Sequence, residues 1–381
     1  MFDSVVVHYA EIALKGNNRS TFEKLLIDNI RKKVDAESVK RDDGQITINL
    51  NEGFDYEKVK TSLKKIPGIA YFSFARSCDS ELEVLKKEVV DFIKDEDFST
   101  FKIDAQRRDK RYGVKSTELN ALLGSVVIDV YGKKVKMKTP DLVLRVEVTG
   151  NGAYLSKESV QGVGGLPTNP KQKVVALLSG GFDSPVAAYM LMRRGCEVIL
   201  VHFKNENQMA SSVEGKIVDL AGQLSCFQIK TVLYIVPFGR IQKEIIMRVK
   251  AESRMLVYRR FMLKIASKVA EVNGARFLVV GDSLSQVASQ TIENLEATYA
   301  DAGAHVLSPL IGLNKEEIIN ISRGIGTYDI SAQPYGDCCS YFLPKHPSLK
   351  VNVGILRDME SQFDVGSLVG DAVKSAEIRK F

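Results

Sequence analysis

Residues 174–188 constrain the fold of this chain more than any other stretch. They comprise a short apolar run at 174–178, a small polar loop at 179–184, and the start of a helix. The run is too short for a helix and long enough for a buried strand. Pro185 falls in the first helical turn, where proline is tolerated. A glycine loop at a helix start presents free N–H groups and a positive dipole end, so this stretch predicts a phosphate site.

The loop has the sequence Ser-Gly-Gly-Phe-Asp-Ser, which is similar to the PP-loop of ATP pyrophosphatases, enzymes that cleave ATP to AMP and pyrophosphate. It is not a Walker loop, because no Gly-Lys-Ser/Thr follows the glycines. The resemblance implies ATP as a cofactor, with its pyrophosphate held by backbone N–H and hydroxyl groups. We assign to this nucleotide site Leu177, Leu178, Ser179, Gly180, Gly181 and Ser184.

Asp183 is an acid inside a loop that is expected to bind an anion. Phosphate binding alone does not explain this choice of residue. The carboxylate could orient the loop amides or hold Mg²⁺, which prefers oxygen ligands; alternatively, it caps the start of the helix. We predict a catalytic role for Asp183 and Mg²⁺ as a second cofactor, with no metal site built from clustered protein ligands.

The chain of 381 residues has room for two or three domains. In residues 1–77 the predicted order β-α-β-β-α-β indicates a ferredoxin-like domain. A capping box from Ser20 to Glu23 is expected to start its first helix. A hairpin turn is expected at Asp42-Asp43-Gly44.

Residues 78–168 predict a second mixed domain, in which Ser116 caps a helix. Glycine and proline punctuate residues 161–170, which read as a linker. Strands and helices then alternate through residues 169–381. This pattern predicts an α/β domain with a doubly wound parallel sheet.

Ligands of doubly wound sheets bind at the carboxyl ends of the strands. Three predicted strands end in small or polar residues, near positions 179, 203 and 281. An aromatic ring at such an end could stack on adenine, and a backbone group could bond the edge of the base. One of three arginines in the helix at 254–273 could neutralise phosphates. The further candidates for the nucleotide site are His202, Phe203, Arg259, Gly281 and Gln290.

The net charge of +6 is a mild excess, but two basic clusters fall within residues 78–168. A single charge run is usually a solvated surface. Two runs, one beside Tyr112, in a chain with an ATP loop favour RNA as a partner. Lysine and arginine would contact phosphates, which gives affinity and salt dependence without sequence choice. The RNA-binding candidates are Arg107, Arg108, Lys110, Arg111, Lys115, Lys133, Lys134 and Lys136.

Cys338 and Cys339 are adjacent in a stretch bounded by glycine and proline. A loop position gives the access that a thiol needs in order to react; two inert, half-buried thiols are the alternative. Zinc is not expected, because no second Cys/His pair with ligand spacing follows. An iron–sulfur cluster would need a third thiol, for which Cys226 is the obvious candidate.

Together these residues resemble the tRNA 4-thiouridine synthetase family (ThiI, also called tRNA uracil 4-sulfurtransferase). The resemblance covers the whole chain and is carried by Leu-Leu-Ser-Gly-Gly-Phe-Asp-Ser, Gly-Asp-Ser-Leu-Ser-Gln-Val-Ala-Ser-Gln-Thr and Asp-Cys-Cys-Ser. It implies a ferredoxin-like domain at 1–77, a THUMP RNA-binding domain at 78–168 and a PP-loop catalytic domain at 169–381. Some members carry a further rhodanese domain, and we expect this sequence to be a form without it.

The resemblance also implies the chemistry. Uracil O4 attacks the α-phosphate of ATP, and a cysteine persulfide, or sulfide released from it, then displaces AMP from C4. Cys339 is the expected persulfide carrier, with Cys338 second, and either Cys338 or Cys226 resolves the intermediate. The expected partners are tRNA, modified at position 8, and a cysteine desulfurase or another donor of persulfide or sulfide. The family also supplies sulfur for thiamine, through the rhodanese domain in its best-understood members.

Two other functions stay open from the sequence: another PP-loop tRNA-modifying enzyme, such as one that makes 2-thiouridine, and a non-catalytic RNA-binding protein that senses ATP. The absence of about 18 consecutive apolar residues predicts no membrane span. No signal peptide is apparent, and five cysteines do not form a disulfide framework. We therefore expect a cytoplasmic protein, and a homodimer that shares tRNA between its chains.

Overall fold

The computed structural model describes residues 2–205, 210–334 and 350–381. The chain divides into two compact units, Met1–Pro167 and Thr168–Phe381. Among the helices in these described ranges, none has the length and apolar character that crossing a membrane requires.

The first unit is built on one large mixed sheet with helices packed against it. In spatial order its strands run β2-β3-β1-β4-β8-β7-β5-β6, and β9 also pairs with β4. Its elements are β1 (Ser4–His8), α1 (Arg19–Lys33), β2 (Ser38–Asp42), β3 (Gln45–Asn49), α2 (Tyr56–Lys64), β4 (Tyr71–Cys78), α3 (Leu82–Ile93), β5 (Thr100–Arg107), α4 (Ser116–Tyr131), β6 (Lys134–Val135), β7 (Leu142–Thr149), β8 (Gly152–Ser156) and β9 (Val160–Gln161).

The predicted ferredoxin-like order is confirmed, and β4 joins its sheet to that of the following domain. Residues 71–75 of β4 pair with β1, whereas residues 76–78 pair with β8. Each half nevertheless has its own apolar core, one around Leu26, Ile30 and Phe72 and the other around Phe101, Leu123 and Leu144. The predicted boundary between residues 77 and 78 therefore falls inside a strand that both halves share.

The stretch expected to be a linker is largely part of the first unit. Gln161 pairs with β4, and the N–H groups of Gly162 and Gly164 donate to the carbonyls of Ala70 and Ile69 at 2.9 and 2.8 Å. A Cβ on Gly162 would lie 2.4 Å from the Ile69 carbonyl oxygen, so only glycine fits there. The linker prediction is corrected accordingly: glycine here permits close packing and does not mark a free tether.

Two predicted helix caps are wrong. Helix α1 begins at Arg19, before the proposed Ser20 box, and its N-cap Asn18 makes no side-chain cap bond. Glu23 is instead fully buried, where it accepts from Tyr9 and Arg19 and pairs with Arg41. Ser116 is the first residue of α4, and its hydroxyl accepts from the Arg107 N–H at 2.9 Å. Tertiary bonds use these side chains, so they do not cap the helices.

A buried polar triad bridges the two halves of the first unit. His8 Nε2 on β1 lies 2.9 Å from Glu147 Oε1 on β7, and Arg108 Nε donates to Glu147 Oε2 at 2.8 Å. The His8 ring also stacks on Tyr71 with ring centroids 4.4 Å apart. Burial raises the pKa of Glu147, but His8 and Arg108 outweigh that effect and hold the pKa below its usual value.

The second unit is a doubly wound α/β domain. Its sheet has the order β14-β13-β10-β11-β12-β15, parallel throughout except for β15. Its elements are β10 (Asn169–Leu177), α5 (Asp183–Arg193), β11 (Cys196–Lys204), α6 (Ala210–Ser225), β12 (Val232–Pro237), α7 (Gly239–Arg248), α8 (Ala251–Asn273), β13 (Phe277–Val279), α9 (Ile292–Tyr299), β14 (His305–Leu307), α10 (Lys315–Gly324), α11 (Tyr328–Ala332), α12 (Val353–Glu360), α13 (Val365–Lys374) and β15 (Glu377–Lys380).

The strand order reverses between β10 and β13. From β10 the chain builds β11 and β12 on one side, and β13 and β14 follow on the other. Such a reversal opens a crevice at the carboxyl ends of the two strands, where ligands of these sheets bind. The fold therefore places a crevice between the loop after β10 and the residues after β13.

We predict that Glu147→Gln lowers the free energy of unfolding by about 2 kcal/mol at pH 7, because hydrogen bonds to charged groups are among the stronger ones. The folded-state pKa of Glu147 is depressed. Its contribution should thus be fully present above the unfolded pKa of about 4.3 and fade as pH falls below it. Denaturant unfolding of both proteins from pH 7 to pH 3 measures this.

The control for that measurement is Glu158→Gln, which changes an exposed carboxylate in the same unit. It should leave the pH dependence of stability close to that of the parent chain. A gap between parent and Glu147→Gln that stays constant down to pH 3 would contradict the ionic role of the triad.

Candidate active site

The loop after β10 is closed on itself by two serines. Ser184 Oγ accepts from the Ser179 N–H at 2.8 Å and lies 3.2 Å from the Ser179 carbonyl oxygen. The Leu178 N–H donates to the Val201 carbonyl at 2.7 Å, which fixes the start of the loop against β11. The Ser179 hydroxyl also lies 3.0 Å from the Ser184 hydroxyl, so both side chains shape the loop, and its other backbone N–H groups are the candidate donors to an anion.

Helix α5 begins at Asp183, and its N-cap Phe182 forms no side-chain cap bond. The first-turn N–H groups of a helix have no partner within the helix itself. Here they face the loop from the positive end of the helix dipole. This arrangement fits the phosphates of a nucleotide, as the sequence predicts.

Gly281 allows the end of β13 to approach the loop. A Cβ on Gly281 would lie 2.8 Å from the Ser184 nitrogen and 2.9 Å from the Asp183 carbonyl carbon, closer than real Cβ atoms come. Both clashing atoms are backbone, so no rotamer change relieves them. Gly281 therefore brings the two strand ends of the crevice together.

The Asp183 carboxylate is held by two side chains that the sequence reasoning missed. Lys315 Nζ donates to Oδ1 at 2.6 Å, and Gln286 Nε2 donates to Oδ2 at 3.1 Å. The same Lys315 ammonium lies 5.5 Å from the centroid of the Phe182 ring. Asp183 is the first residue of α5, so the structure does not support the alternative in which it caps the helix.

The described residues offer no cluster of three or more carboxylate, histidine or thiol ligands for a metal ion. Asp183 could contribute an oxygen ligand to Mg²⁺, and its two oxygens already accept from Lys315 and Gln286. Mg²⁺ thus stays a prediction, and the chain's own fixed cation at this carboxylate is Lys315.

Asp282, the residue after Gly281, is buried and accepts hydrogen bonds from three side chains. Its carboxylate accepts from Arg259, from Gln290 Nε2 at 3.0 Å and from the Tyr299 hydroxyl at 2.5 Å. Burial raises the pKa of Asp282, but the charge of Arg259 and these hydrogen bonds outweigh it, so the pKa lies below its usual value. The carboxylate stays ionised and fixes two predicted site residues, Arg259 and Gln290, at the carboxyl end of β13.

The structure separates the three arginines of α8. Arg254 donates to the carbonyls of Val249 and Ile246 at the end of α7. Arg260 is 1% exposed and pairs with Asp301 and Glu360. Both are structural, whereas Arg259 lies beside the crevice and is 16% exposed.

The predicted adenine contact of Phe203 needs revision, whereas the one from the His202 backbone stays a prediction. The Phe203 ring is 5% exposed and packs edge-on against Phe238 in the core, with centroids 5.5 Å apart. It therefore has no face for a base, and the stacking prediction is wrong for this side chain. His202 is buried, and its Nδ1 lies 3.0 Å from the Leu178 carbonyl oxygen, where it ties β11 to the loop.

Cys338 and Cys339 lie outside the described residues. Cys226 is described, and it follows α6, the helix that returns from the carboxyl end of β11. Two residues later, Gln228 forms hydrogen bonds with both backbone groups of Val198, near the amino end of β11. Cys226 is thus near the amino ends of the strands, whereas the loop at 179–184 is at their carboxyl ends. This position weighs against a role for Cys226 as resolving thiol.

The two basic clusters of the first unit differ in how their charges are used. Arg107 Nη1 donates to the Tyr112 carbonyl at 2.9 Å, and Arg108 belongs to the buried triad. Arg111 is exposed but pairs with Asp109 in a bidentate contact, in which Nε donates to Oδ1 and Nη2 donates to Oδ2, each at 3.0 Å. Lys133 Nζ lies 5.4 Å from the centroid of the Phe98 ring. The exposed lysines of the two clusters are Lys110, Lys115, Lys134 and Lys136.

Three family descriptions match successive parts of this chain. The description "ThiI ferredoxin-like domain" covers residues 4–73, "THUMP domain" covers 79–158, and "Thiamine biosynthesis protein (ThiI)" covers 170–365. The chain belongs to the ThiI family. The match extends from the first strand to the last helix of the catalytic domain, as the sequence resemblance predicts.

Three relatives that match nearly the whole length of this chain carry the same name. The relative from Caldanaerobacter subterraneus subsp. tengcongensis is named "Probable tRNA sulfurtransferase". It is 39% identical to this chain over 368 residues, which cover 96% of each chain. The Brevibacillus brevis relative is 34% identical over 385 residues, covering 100% of this chain and 96% of the other. The Streptococcus suis relative is 36% identical over 380 residues, with 98% and 93% covered.

One solved structure is similar along the whole ThiI-family chain. It is described as a 4-thiouridine synthetase–RNA complex with bound ATP, and it superposes with a TM-score of 0.90 at 34% identity over 100% of both chains. A protein of Pyrococcus horikoshii, PH1313, shares the fold at a TM-score of 0.67 and 22% identity, covering 85% of this chain and 99% of its own.

Gly281→Ala is predicted to weaken ATP binding at least tenfold, because a Cβ there must displace the backbone of the loop. Overpacking of this kind also lowers the free energy of unfolding by about 1–3 kcal/mol. Gly312→Ala is the matched control, since an added Cβ there meets nothing within 4 Å and its φ is not positive. Calorimetric titration with ATP measures both; equal affinities would contradict the close-approach role of Gly281.

Proposed function

We propose that this ThiI-family chain is an ATP-dependent tRNA sulfurtransferase that converts a uridine, at position 8, to 4-thiouridine. The observation that carries the proposal is the loop at 179–184 at the start of α5. Gly281, after β13, packs against the backbone of this loop at Asp183 and Ser184. The names of the full-length relatives and the RNA and ATP bound by the similar solved structure support it. The ferredoxin-like and THUMP domains supply the RNA-binding part.

In the first proposed step uracil O4 attacks the α-phosphate of ATP. An O4–P bond forms and the bond to the leaving pyrophosphate breaks. Charge develops on the phosphate oxygens, and fixed N–H dipoles aimed at such a site stabilise it without reorganisation. We assign this role to the loop amides and the amino end of α5, with Lys315 as a cation next to them.

In the second step sulfur replaces AMP at C4. The terminal sulfur of a Cys339 persulfide attacks C4, AMP leaves, and a C4–S–S–Cys339 intermediate forms. A second thiolate then attacks the Cys339 sulfur, which leaves 4-thiouridine and a protein disulfide that an external thiol must reduce before the next turnover. We assign the second thiol to Cys338, because Cys226 lies near the amino ends of the strands, away from the nucleotide loop at their carboxyl ends.

The sulfur donor and the assembly are part of the proposal. A cysteine desulfurase, or another source of persulfide or sulfide, must load Cys339. Two chains are proposed to share one tRNA, with the RNA-binding unit of one chain presenting uridine to a catalytic unit. Measuring the mass of the complex with tRNA by light scattering tests the stoichiometry.

We predict that Asp183→Ala abolishes AMP formation, since it releases Lys315 and the first turn of α5 from their shared contact. Cys339→Ser should leave the tRNA-dependent release of pyrophosphate in the first turnover within about threefold of the parent, because adenylation precedes sulfur transfer. It should stop thiolation, and the AMP release that accompanies it, when a desulfurase supplies persulfide. The assay mixes tRNA, ATP and donor, and follows pyrophosphate, AMP and 4-thiouridine by chromatography and mass.

Cys226→Ser serves as the control thiol for that assay and should behave like the parent chain. Native thiolation by Cys339→Ser with a desulfurase would move the carrier role to Cys338. Failure of the parent chain to form both AMP and a thiolated nucleoside would refute the proposed enzyme. Formation of 2-thiouridine in place of 4-thiouridine would assign the chain to the other PP-loop class.

For RNA binding we predict that Lys110→Ala combined with Arg111→Ala weakens affinity for tRNA and flattens its salt dependence. Each lost phosphate contact should reduce the slope of log K against log salt by about one. Lys110 should account for more of the loss, because Arg111 is already paired with Asp109. Lys64→Ala, an exposed change on α2, is the control, and an unchanged slope in the double variant would make the cluster solvated surface.

A further inference from the structure

Lys216 is a buried lysine that the mechanism above does not use. It lies on α6 and is 3% exposed. Its ammonium donates to the carbonyl oxygens of Ser331 at 2.9 Å and Gln333 at 2.8 Å. A buried charge is costly unless its donors are satisfied, and the burial lowers the pKa of Lys216. A lysine retained at such a position needs a structural or functional reason.

The two carbonyls that Lys216 binds are at the carboxyl end of α11. A positive charge at this end of a helix is favourable, because the last carbonyls lack helical partners and carry the negative end of the dipole. Helix α11 has only five residues, too few to be stable alone. Its position must therefore be fixed by contacts with its neighbours, which include the Lys216 bonds at its carboxyl end and the Arg323 guanidinium 4.6 Å from the centroid of the Tyr328 ring at its start.

Helix α11 in turn contacts the nucleotide loop at two points. The Ser331 hydroxyl donates to the Gly181 carbonyl at 3.2 Å. The Tyr328 ring faces the Phe182 ring with centroids 5.4 Å apart and planes 31° apart. Gly181 and Phe182 are consecutive residues of the loop, and the Gly181 carbonyl is an acceptor that a phosphate would repel if it turned inward.

We infer that Lys216 is a positioning residue for the nucleotide loop, acting through α11. The ammonium fixes the end of α11, and Ser331 and Tyr328 then hold the outer side of the loop so that its carbonyls point away from the phosphates and its amides point toward them. The inference rests on the proposed function only in taking ATP as the ligand of the loop. It adds a second support for the loop, besides the close approach of Gly281 to Asp183 and Ser184.

The test is a double-mutant cycle on ATP affinity, measured by calorimetry without RNA or a sulfur donor. Lys216→Met keeps the side-chain length and removes the charge, and Ser331→Ala removes only the hydroxyl that reaches Gly181. We expect Lys216→Met to raise the Kd for ATP about tenfold and Ser331→Ala about threefold. The double variant should be no weaker than Lys216→Met alone, because both changes break one chain of contacts.

Lys350→Met is the matched control, since this lysine is 80% exposed and pairs with Glu293 on α9. It should leave the Kd unchanged. If Lys216→Met does not fold, Lys216→Arg and Ser331→Ala carry the test, with the expectation that arginine restores most of the affinity.

Two results would overturn the inference: a folded Ser331→Ala protein with the parent's Kd, or multiplying effects in the double variant. A purely structural lysine would lower the melting temperature and leave the Kd unchanged well below it. These outcomes are separate from the proposed function, because ATP affinity can depend on Lys216 whether or not the chain thiolates tRNA.

Discussion

The contact between Gly281 and the start of α5 is the constraint on which the catalytic unit depends. Residues from two different strands, β10 and β13, must meet at the point where the sheet reverses its order. Backbone packs directly against backbone there, and any side chain at position 281 would open the crevice. Because the nucleotide loop is short and closed by its own serines, its shape then follows from this contact and from its outer supports.

Charged groups in the crevice are paired before any ligand arrives. Lys315 neutralises Asp183, and Arg259 neutralises Asp282. Such pairing orients the side chains of Lys315 and Arg259 at the crevice. It also means that a nucleotide, itself an anion, competes with Asp183 and Asp282 for the same cations, so its binding exchanges one set of charge pairs for another.

In the RNA-binding unit, too, part of the charge is used in ion pairs within the protein. Of the basic residues that the sequence groups together, some hold the fold and others are available to a polyanion. Arg108 completes a buried triad with His8 and Glu147, while Lys110 and Lys115 remain exposed. A charge run in a sequence therefore overstates the electrostatic surface, because some of its members form ion pairs with carboxylates of the fold.

The sequence by itself determined the class of each domain and the phosphate loop, since alternating strands and helices and a glycine loop at a helix start follow from local pattern. It also predicted Gly281 and Gln290 as site residues from their place after a strand, and the structure has both near the carboxyl end of β13. Only the tertiary structure decided what the side chains do. Phe203 faces the core, Glu23 and Ser116 accept tertiary hydrogen bonds in place of capping their helices, Lys315 reaches Asp183 from a helix far along the chain, and Lys216 binds the end of α11. Such contacts depend on how helices pack, and no local pattern records the distance between residues 183 and 315.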